Sequence, residues 1–263
     1  MITLKDIMTW VNGELLTPES PLVLECPKVF ASDLMSDVLT SAEPGSFLLT
    51  GLANPHVIST CSVADLSAVV FVQGRASARA RMSSSRPGRR VFLSSPRNCR
   101  CSRRVRGFRL SSRARSMSGK VVFRQEFPVK GGDFGKAGAV ACRIKDLLKK
   151  LGLDSPIVRR AAIASYEAEM NVIMYAWEGR VRLAVSPDEV RITVDDKGPG
   201  IPDVGLAMTE GYSTATPEMR ELGFGAGMGL PNIKRNADAF RIDSRVGRGT
   251  HLEITIDTNG HHP

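Results

Sequence analysis

No run of eighteen or more apolar residues occurs among the 263 residues, and the first dozen, Met1 to Asn12, mix apolar residues with Lys5 and Asp6. Neither a membrane-spanning helix nor a signal peptide is therefore expected, and the chain is read as soluble and cytoplasmic. Cysteine is sparse and unpaired in pattern: Cys26, Cys61, Cys99, Cys101 and Cys142 are odd in number and lack C-x-x-C spacing. That argues against a zinc or redox site and for buried or free thiols in a reducing compartment. Histidine is absent between His56 and His251, and His261 and His262 fall beside Pro263 in a short tail, 258–263, read as a frayed end.

Lysine and acid are both missing from residues 75–116, which hold 14 arginines. The net charge of +9 thus belongs to this segment, since 22 basic against 27 acidic residues elsewhere leave the remainder at −5. Runs such as Arg86-Pro87-Gly88-Arg89-Arg90 and Cys99-Arg100-Cys101-Ser102-Arg103-Arg104 show neither helical nor strand periodicity. The segment is expected to be disordered and dispensable for nucleotide binding. Three readings stay open. A basic arm for RNA or anionic lipid would normally mix lysine with arginine and interleave aromatics, whereas only Phe92 and Phe108 occur, so no specific nucleic-acid or membrane partner is expected. A plain linker is the second. The third is a frame-shifted stretch, because Arg, Ser, Pro and Cys without Lys, Asp or Glu is what a GC-rich coding region yields out of frame. A new start is available at Met117.

Residues 1–74 read as a small parallel α/β piece. Lys28-Val29-Phe30-Ala31 is followed by a helix with Ser32 as its cap, then by Phe47-Leu48-Leu49-Thr50. A second helix opens at Asn54-Pro55, and the apolar run Ala68 to Val72 closes the piece. Phe47 to Leu52 followed by Ala68 to Gly74 resembles a DRTGG domain, a module read as regulatory. The name-giving motif is absent and the Arg/Ser segment stands where the second half would be, so one sheet edge is expected to be open.

Residues 117–257 read as a second domain. Val121 to Val129 alternates as a strand, Asp133 caps a helix that Gly152 ends, and Ser155-Pro156 opens a long helix to about Trp177. Strands at 181–185 and 190–195, a helix after Gly229 and closing strands near 240–242 and 250–256 follow. The expected fold is α+β, with helices on one face of a mixed, mostly antiparallel sheet.

Three motifs lie along this domain. Glu167 and Asn171 are four apart and share a helix face, while Glu169 points about 200° away; such a pair is ordinarily a solvated face. Asp196-Lys197-Gly198-Pro199-Gly200 directly follows a strand, and by itself would be a tight turn. Gly223 to Leu230 contains Gly225, Gly227 and Gly229 and leads into a helix, whose unpaired N–H groups suit phosphate. No Gly-Lys-Ser/Thr follows, so it is not a P-loop, and its late position excludes a Rossmann turn.

Together, in this order and with Gly249-Thr250 in a closing strand, the motifs resemble the nucleotide-binding boxes of the GHKL superfamily. The compact domain and the lid-like Gly211 to Glu218 resemble its anti-sigma-factor serine kinase branch. The resemblance implies the Bergerat α/β sandwich and binding of ATP with Mg²⁺. It implies that Asp196 reads the adenine amino group, with Gly198 and Gly200 against base and sugar and Thr250 close to the adenine. Asn171 would hold the metal, Gly225, Gly227 and Gly229 would line the triphosphate, and Glu167 matches the general base.

The implied activity is transfer of the γ-phosphoryl group to a serine or threonine of a small protein partner, either an anti-anti-sigma-like domain or a sigma factor. A homodimer is compatible with such a domain. The alternative is an ATP-dependent switch that binds its partner without transfer. A histidine kinase is disfavoured because no histidine lies between His56 and His251, and His56, near a helix start at Asn54-Pro55, has no dimerisation helix beside it.

Overall fold

The structure, a computed structural model, describes residues 2–11, 13–15, 25–26, 28–72, 89–92 and 121–259. The Arg/Ser segment lies outside the described residues apart from Arg89–Phe92, as do Cys99, Cys101 and the His261–His262 pair. Two compact units are present: Met1–Arg100 together with Glu221–Phe224, and Cys101–Arg220 together with Gly225–Pro263.

The first unit begins with β1 (Ile2–Thr3), α1 (Leu4–Val11), β2 (Gly13–Leu15) and β3 (Glu25–Cys26). The parallel strands β4 (Val29–Ala31), β5 (Phe47–Thr50) and β6 (Ala68–Phe71) follow, joined by α2 (Met35–Ser41) and α3 (Pro55–Val63). Asn54 caps α3 as expected, its side chain accepting the Val57 N–H at 3.3 Å with Pro55 in the first turn. Ser32 does not cap α2. Its hydroxyl accepts the Leu34 N–H in a turn before the helix, which starts three residues later at Met35. Strand β6 pairs antiparallel along Val69–Phe71 with β7 (Arg89–Phe92), which lies inside the segment expected to lack structure, and β2 and β4 are the edges of the resulting five-stranded sheet. Val91 and Phe92 supply a short strand-forming pair there, and pairing satisfies the backbone groups of a buried strand. Leu4, Ile7, Cys26, Phe47, Ala68 and Val70 form one apolar core. The buried Cys61 thiol is pushed up to about 12 by desolvation, so it is an inert packing group.

The second unit is a five-stranded sheet in the order β11-β12-β10-β9-β8. Its strands are β8 (Phe123–Lys130), β9 (Glu178–Val185), β10 (Glu189–Lys197), β11 (Ala239–Arg245) and β12 (Gly249–Asp257). The α+β class is as expected, but all four pairings are antiparallel, so the sheet is not mixed. Alternation decides the faces: Val181, Leu183, Val185, Val190, Ile192, Val194, Leu252, Ile254 and Ile256 are buried, while Arg180 and Arg182 point outward toward Glu126. The apolar face is covered by α5 (Ser155–Tyr175), against which α4 (Ala139–Leu151) packs, with the shorter α6 (Val204–Ala207), α7 (Pro217–Glu221) and α8 (Gly229–Arg235) following in the chain.

Helix α4 begins later than its sequence suggests. Asp133 makes no capping bond and precedes a short 3₁₀ turn, Phe134–Lys136, and α4 starts after Gly138 in a left-handed conformation. Gly152 ends it at φ 82°, as expected.

Candidate functional site

The site is built on α5, which Pro156 opens and which is buried along most of its length. Alanines at 161, 162, 164 and 168 let it pass between the sheet and its neighbouring helices. Glu167 lies on this buried helix at 7% exposure, and Asn171 follows one turn later on the same face. Both point at the start of α8. A Cβ placed on Gly229 would lie 3.4 Å from Asn171 Oδ1 and 3.5 Å from Glu167 Oε2. The start of α8 therefore lies beside a carboxylate and an amide oxygen, the kind of oxygen pair a hard cation takes together with phosphate and water.

Burial raises the Glu167 carboxyl from its ordinary 4.5 to about 7, and a hydrogen bond from Asn232 opposes the shift. That bond runs from Asn232 Nδ2 to Glu167 Oε1 at 2.8 Å, with Asn232 only 1% exposed. Sequence reading did not single out Asn232. Its only signal is position, three residues after Gly229 on a helix that must bury Ile233.

Asp196 stands near the end of β10 and its Oδ1 accepts the Thr250 N–H at 3.1 Å. Burial raises its carboxyl above the usual range, Thr250 lowers it and Asp195 raises it further. Gly198 is packed against Ala176 and Asp196 Oδ1, at 3.0 and 3.2 Å from an added Cβ. Gly200, at φ 71°, leaves room for the Arg245 carbonyl, which an added Cβ would meet at 2.2 Å. This turn is stitched to the β11–β12 hairpin by Gly247 N–H to Pro199 O at 2.7 Å and by Ile201 N–H to Ser244 Oγ at 2.8 Å. Ser244 Oγ in turn shares a 2.9 Å hydrogen bond with Thr250 Oγ1. Asp196, Gly198, Gly200 and Thr250 are thus held in one cluster by packing and by hydrogen bonds of Asp196, Thr250 and the residues flanking Gly200.

Gly225 and Gly227 do not face the Glu167–Asn171 pair as Gly229 does. An added Cβ on Gly225 would meet Ala215 Cβ at 2.2 Å, and one on Gly227 would meet the Gly211 carbonyl carbon at 2.4 Å. Both glycines have positive φ, and Gly211 N–H donates to Gly227 O at 3.1 Å. The loop expected to act as a lid rests against them.

Glu169, on the opposite side of α5, accepts the Val140 and Ala141 N–H groups at 3.1 and 2.9 Å. It caps the start of α4 from across the helix pair, which replaces the local cap that Asp133 does not provide. Burial raises this carboxyl to about 7, with backbone N–H groups pulling it back.

A profile of the histidine kinase-, DNA gyrase B- and HSP90-like ATPases matches residues 160–260. The chain is 32% identical over 113 residues to serine/threonine-protein kinase RsbT of Bacillus subtilis, covering 41% of this chain and 79% of that protein. It is 32% identical over 94 residues to anti-sigma F factor of Clostridium beijerinckii, and 35% identical over 95 residues to that of Pasteuria penetrans. Those alignments cover 34% of this chain and 62% and 60% of the respective factors. With the antiparallel sheet, the Glu167–Asn171 pair and the glycine-linked Asp196 cluster in place, the chain belongs to the histidine kinase-, DNA gyrase B- and HSP90-like ATPase family.

Proposed function

We propose that the second unit is a cytoplasmic serine/threonine kinase that binds Mg-ATP and phosphorylates a small protein partner. The observation that carries this is the convergence of Glu167 Oε2 and Asn171 Oδ1 on the Gly229 end of α8. The relative named as a serine/threonine-protein kinase supports transfer, and those named anti-sigma F factors support an anti-anti-sigma-like or sigma-factor partner. The described helices include none long and apolar enough to cross a membrane, which agrees with that location.

Asp196 reads the adenine amino group, and Gly198, Gly200 and Thr250 border base and sugar. Gly225, Gly227 and Gly229 contribute backbone N–H groups to the triphosphate. The oxygen character of the site fits Mg²⁺, which Asn171 would hold and which would neutralise phosphate charge. Glu167 takes the proton of the partner's hydroxyl as its oxygen bonds to the γ-phosphorus and the bond to the β-phosphate oxygen breaks, releasing ADP. A carboxyl with affinity for a proton near pH 7 suits that step, and transfer falls about tenfold per pH unit well below 7 as Glu167 protonates.

Competition binding tests the nucleotide assignment. Asp196→Asn is expected to weaken ATP and ADP alike, and Asn171→Ala chiefly the magnesium-dependent part. Unchanged affinity in both variants removes the assignment. If the parent protein binds its partner in a nucleotide-dependent way but transfers no phosphate, it is an ATP-dependent switch.

Gly229→Ala tests the convergence directly. The backbone there has no positive φ, and the methyl group would make ordinary contacts at 3.4–3.5 Å, so the fold loses nothing. Alanine favours a helix over glycine by up to about 1 kcal/mol. The methyl nevertheless fills the gap between the two oxygens, and Mg-ATP affinity should drop by about tenfold or more, roughly 1.4 kcal/mol. Equal affinity at equal or higher melting temperature would show that phosphate and metal bind elsewhere.

A further inference from the structure

We propose that Asn232 is a positioning residue for the base, holding one oxygen of Glu167 so that the other faces the reacting group. This rests on the kinase reading and adds to it a second residue on a different helix. Asn232 donates from Nδ2 to Glu167 Oε1 at 2.8 Å, and the other oxygen, Oε2, is the one directed at Gly229.

The terminal torsion of a glutamate is broad and nearly two-fold, so an unrestrained carboxylate turns easily between orientations. A single donor on one oxygen removes that freedom and leaves the second oxygen as acceptor. A neutral amide is suited to the task, because it orients the carboxylate without the loss of basicity that a lysine or arginine partner would bring. Charged neighbours do not contribute to the Glu167 shift, whose causes are burial and Asn232 alone.

The place of Asn232 in the chain gives the contact a second consequence. It lies on α8, three residues after Gly229, and α8 is the direct continuation of the glycine-rich loop. The Asn232 N–H donates to Met228 O at 2.8 Å, and its own carbonyl accepts the Asn236 side chain at 2.9 Å. The amide that aims the base is therefore fixed to the backbone that approaches phosphate. A loop displaced from its seat carries Asn232 away from Glu167, so the base is aligned only when the loop is in place. Helix α5 supplies the base and the metal-side oxygen, and α8 supplies the alignment.

Single-turnover transfer from labelled ATP, Mg-ATP affinity and side-chain amide NMR test this on the full chain. Asn232→Ala should bind Mg-ATP within about threefold of the parent while its transfer rate falls about 10- to 100-fold. In a Glu167→Ala background the same substitution should cause no further loss, since both act in one unit. The Asn232 side-chain amide resonances should shift when Glu167 becomes alanine, a signature that depends on the contact and not on activity. Asn232→Asp keeps size and shape but removes the donor, and should be at least as slow as Asn232→Ala.

Full transfer by Asn232→Ala, additive losses in the double variant, or an unmoved amide resonance would each overturn the proposal. Loss of Mg-ATP affinity in step with rate, or failure of both variants to fold, would make Asn232 a packing residue and overturn it as well. A parent protein without transfer would end the kinase reading, and the amide resonances would still report whether Asn232 holds Glu167.

Discussion

Glutamine at position 167 is expected to give a protein that binds Mg-ATP, transfers almost no phosphate and melts at a higher temperature than the parent above pH 7. The loss of transfer follows from removing a positioned base, which contributes on the order of 10² to 10⁴ in rate. The gain in stability follows from burial. In the folded chain the Glu167 carboxyl is raised from 4.5 to about 7 by desolvation. Between those values the folded state holds a proton that the unfolded state has lost, so stability falls as pH rises through the window and the full penalty applies above 7. A shift of that size corresponds to at most about 3 kcal/mol. Glutamine carries no charge and its carbonyl can still accept from Asn232. Urea unfolding at pH 5 and pH 8 should therefore show Glu167→Gln closer to the parent at the lower pH and about 1–3 kcal/mol more stable at the higher.

Glu169 is the control, because it too is raised to about 7 by burial but already serves the Val140 and Ala141 N–H groups. In Glu169→Gln the amide NH₂ would oppose one of those donors, so no gain is expected at pH 8. No stabilisation by the first change would mean that burial does not govern Glu167, and equal stabilisation by both would mean that the Val140 and Ala141 N–H groups do not offset burial at Glu169.

The sequence carried the periodic and punctuated parts of this fold well, and the long-range contacts poorly. Pro156 and the apolar spacing of α5 made that helix legible, and Gly152 marked the end of α4, because these signals act within a few residues. Glu167 and Asn171 could be placed on one face from helical period alone, and the structure brings both to Gly229.

The start of α4 was not legible. Asp133 has the right chemistry for a cap, but the N–H groups are satisfied by Glu169, about thirty residues on, and no local pattern reports that. Asn232 was missed for the same reason: a buried asparagine needs a partner, but burial of a seven-residue helix cannot be read from its own sequence. The glycines were read as giving close approach to phosphate, and their contacts within the chain were not legible. Gly225 and Gly227 admit the loop at 211–215, whereas Gly229 alone lies against Glu167 and Asn171.

Alanine at position 249 should be strongly damaging in the nucleotide site, although the sequence marks Gly249 only as one residue of a closing strand. Gly249 has φ 116°, and a Cβ there would lie 2.2 Å from the Asp196 carbonyl oxygen and 2.9 Å from its Oδ1. The nearest atom belongs to backbone, so no side-chain rotation relieves the clash, and β10 must move away from β12 near the residue assigned to adenine. Overpacking of this kind costs about 1–3 kcal/mol, and holding alanine at such a φ adds about 1–3 more. Because Asp196 also accepts the Thr250 N–H, the shift separates the carboxylate from the strand that orients it. Nucleotide affinity should fall at least about tenfold, with ADP affected as much as ATP because adenine contact is what is lost. Gly247→Ala separates strain from close approach. That glycine also has positive φ, at 75°, but nothing lies within 4 Å of its added Cβ. It should lose about 1 kcal/mol in urea unfolding and keep its affinity for Mg-ADP. If Gly247→Ala weakens ADP as much as Gly249→Ala does, hairpin strain and not displacement of Asp196 controls the site. If Gly249→Ala binds ADP like the parent, Asp196 is not the adenine contact.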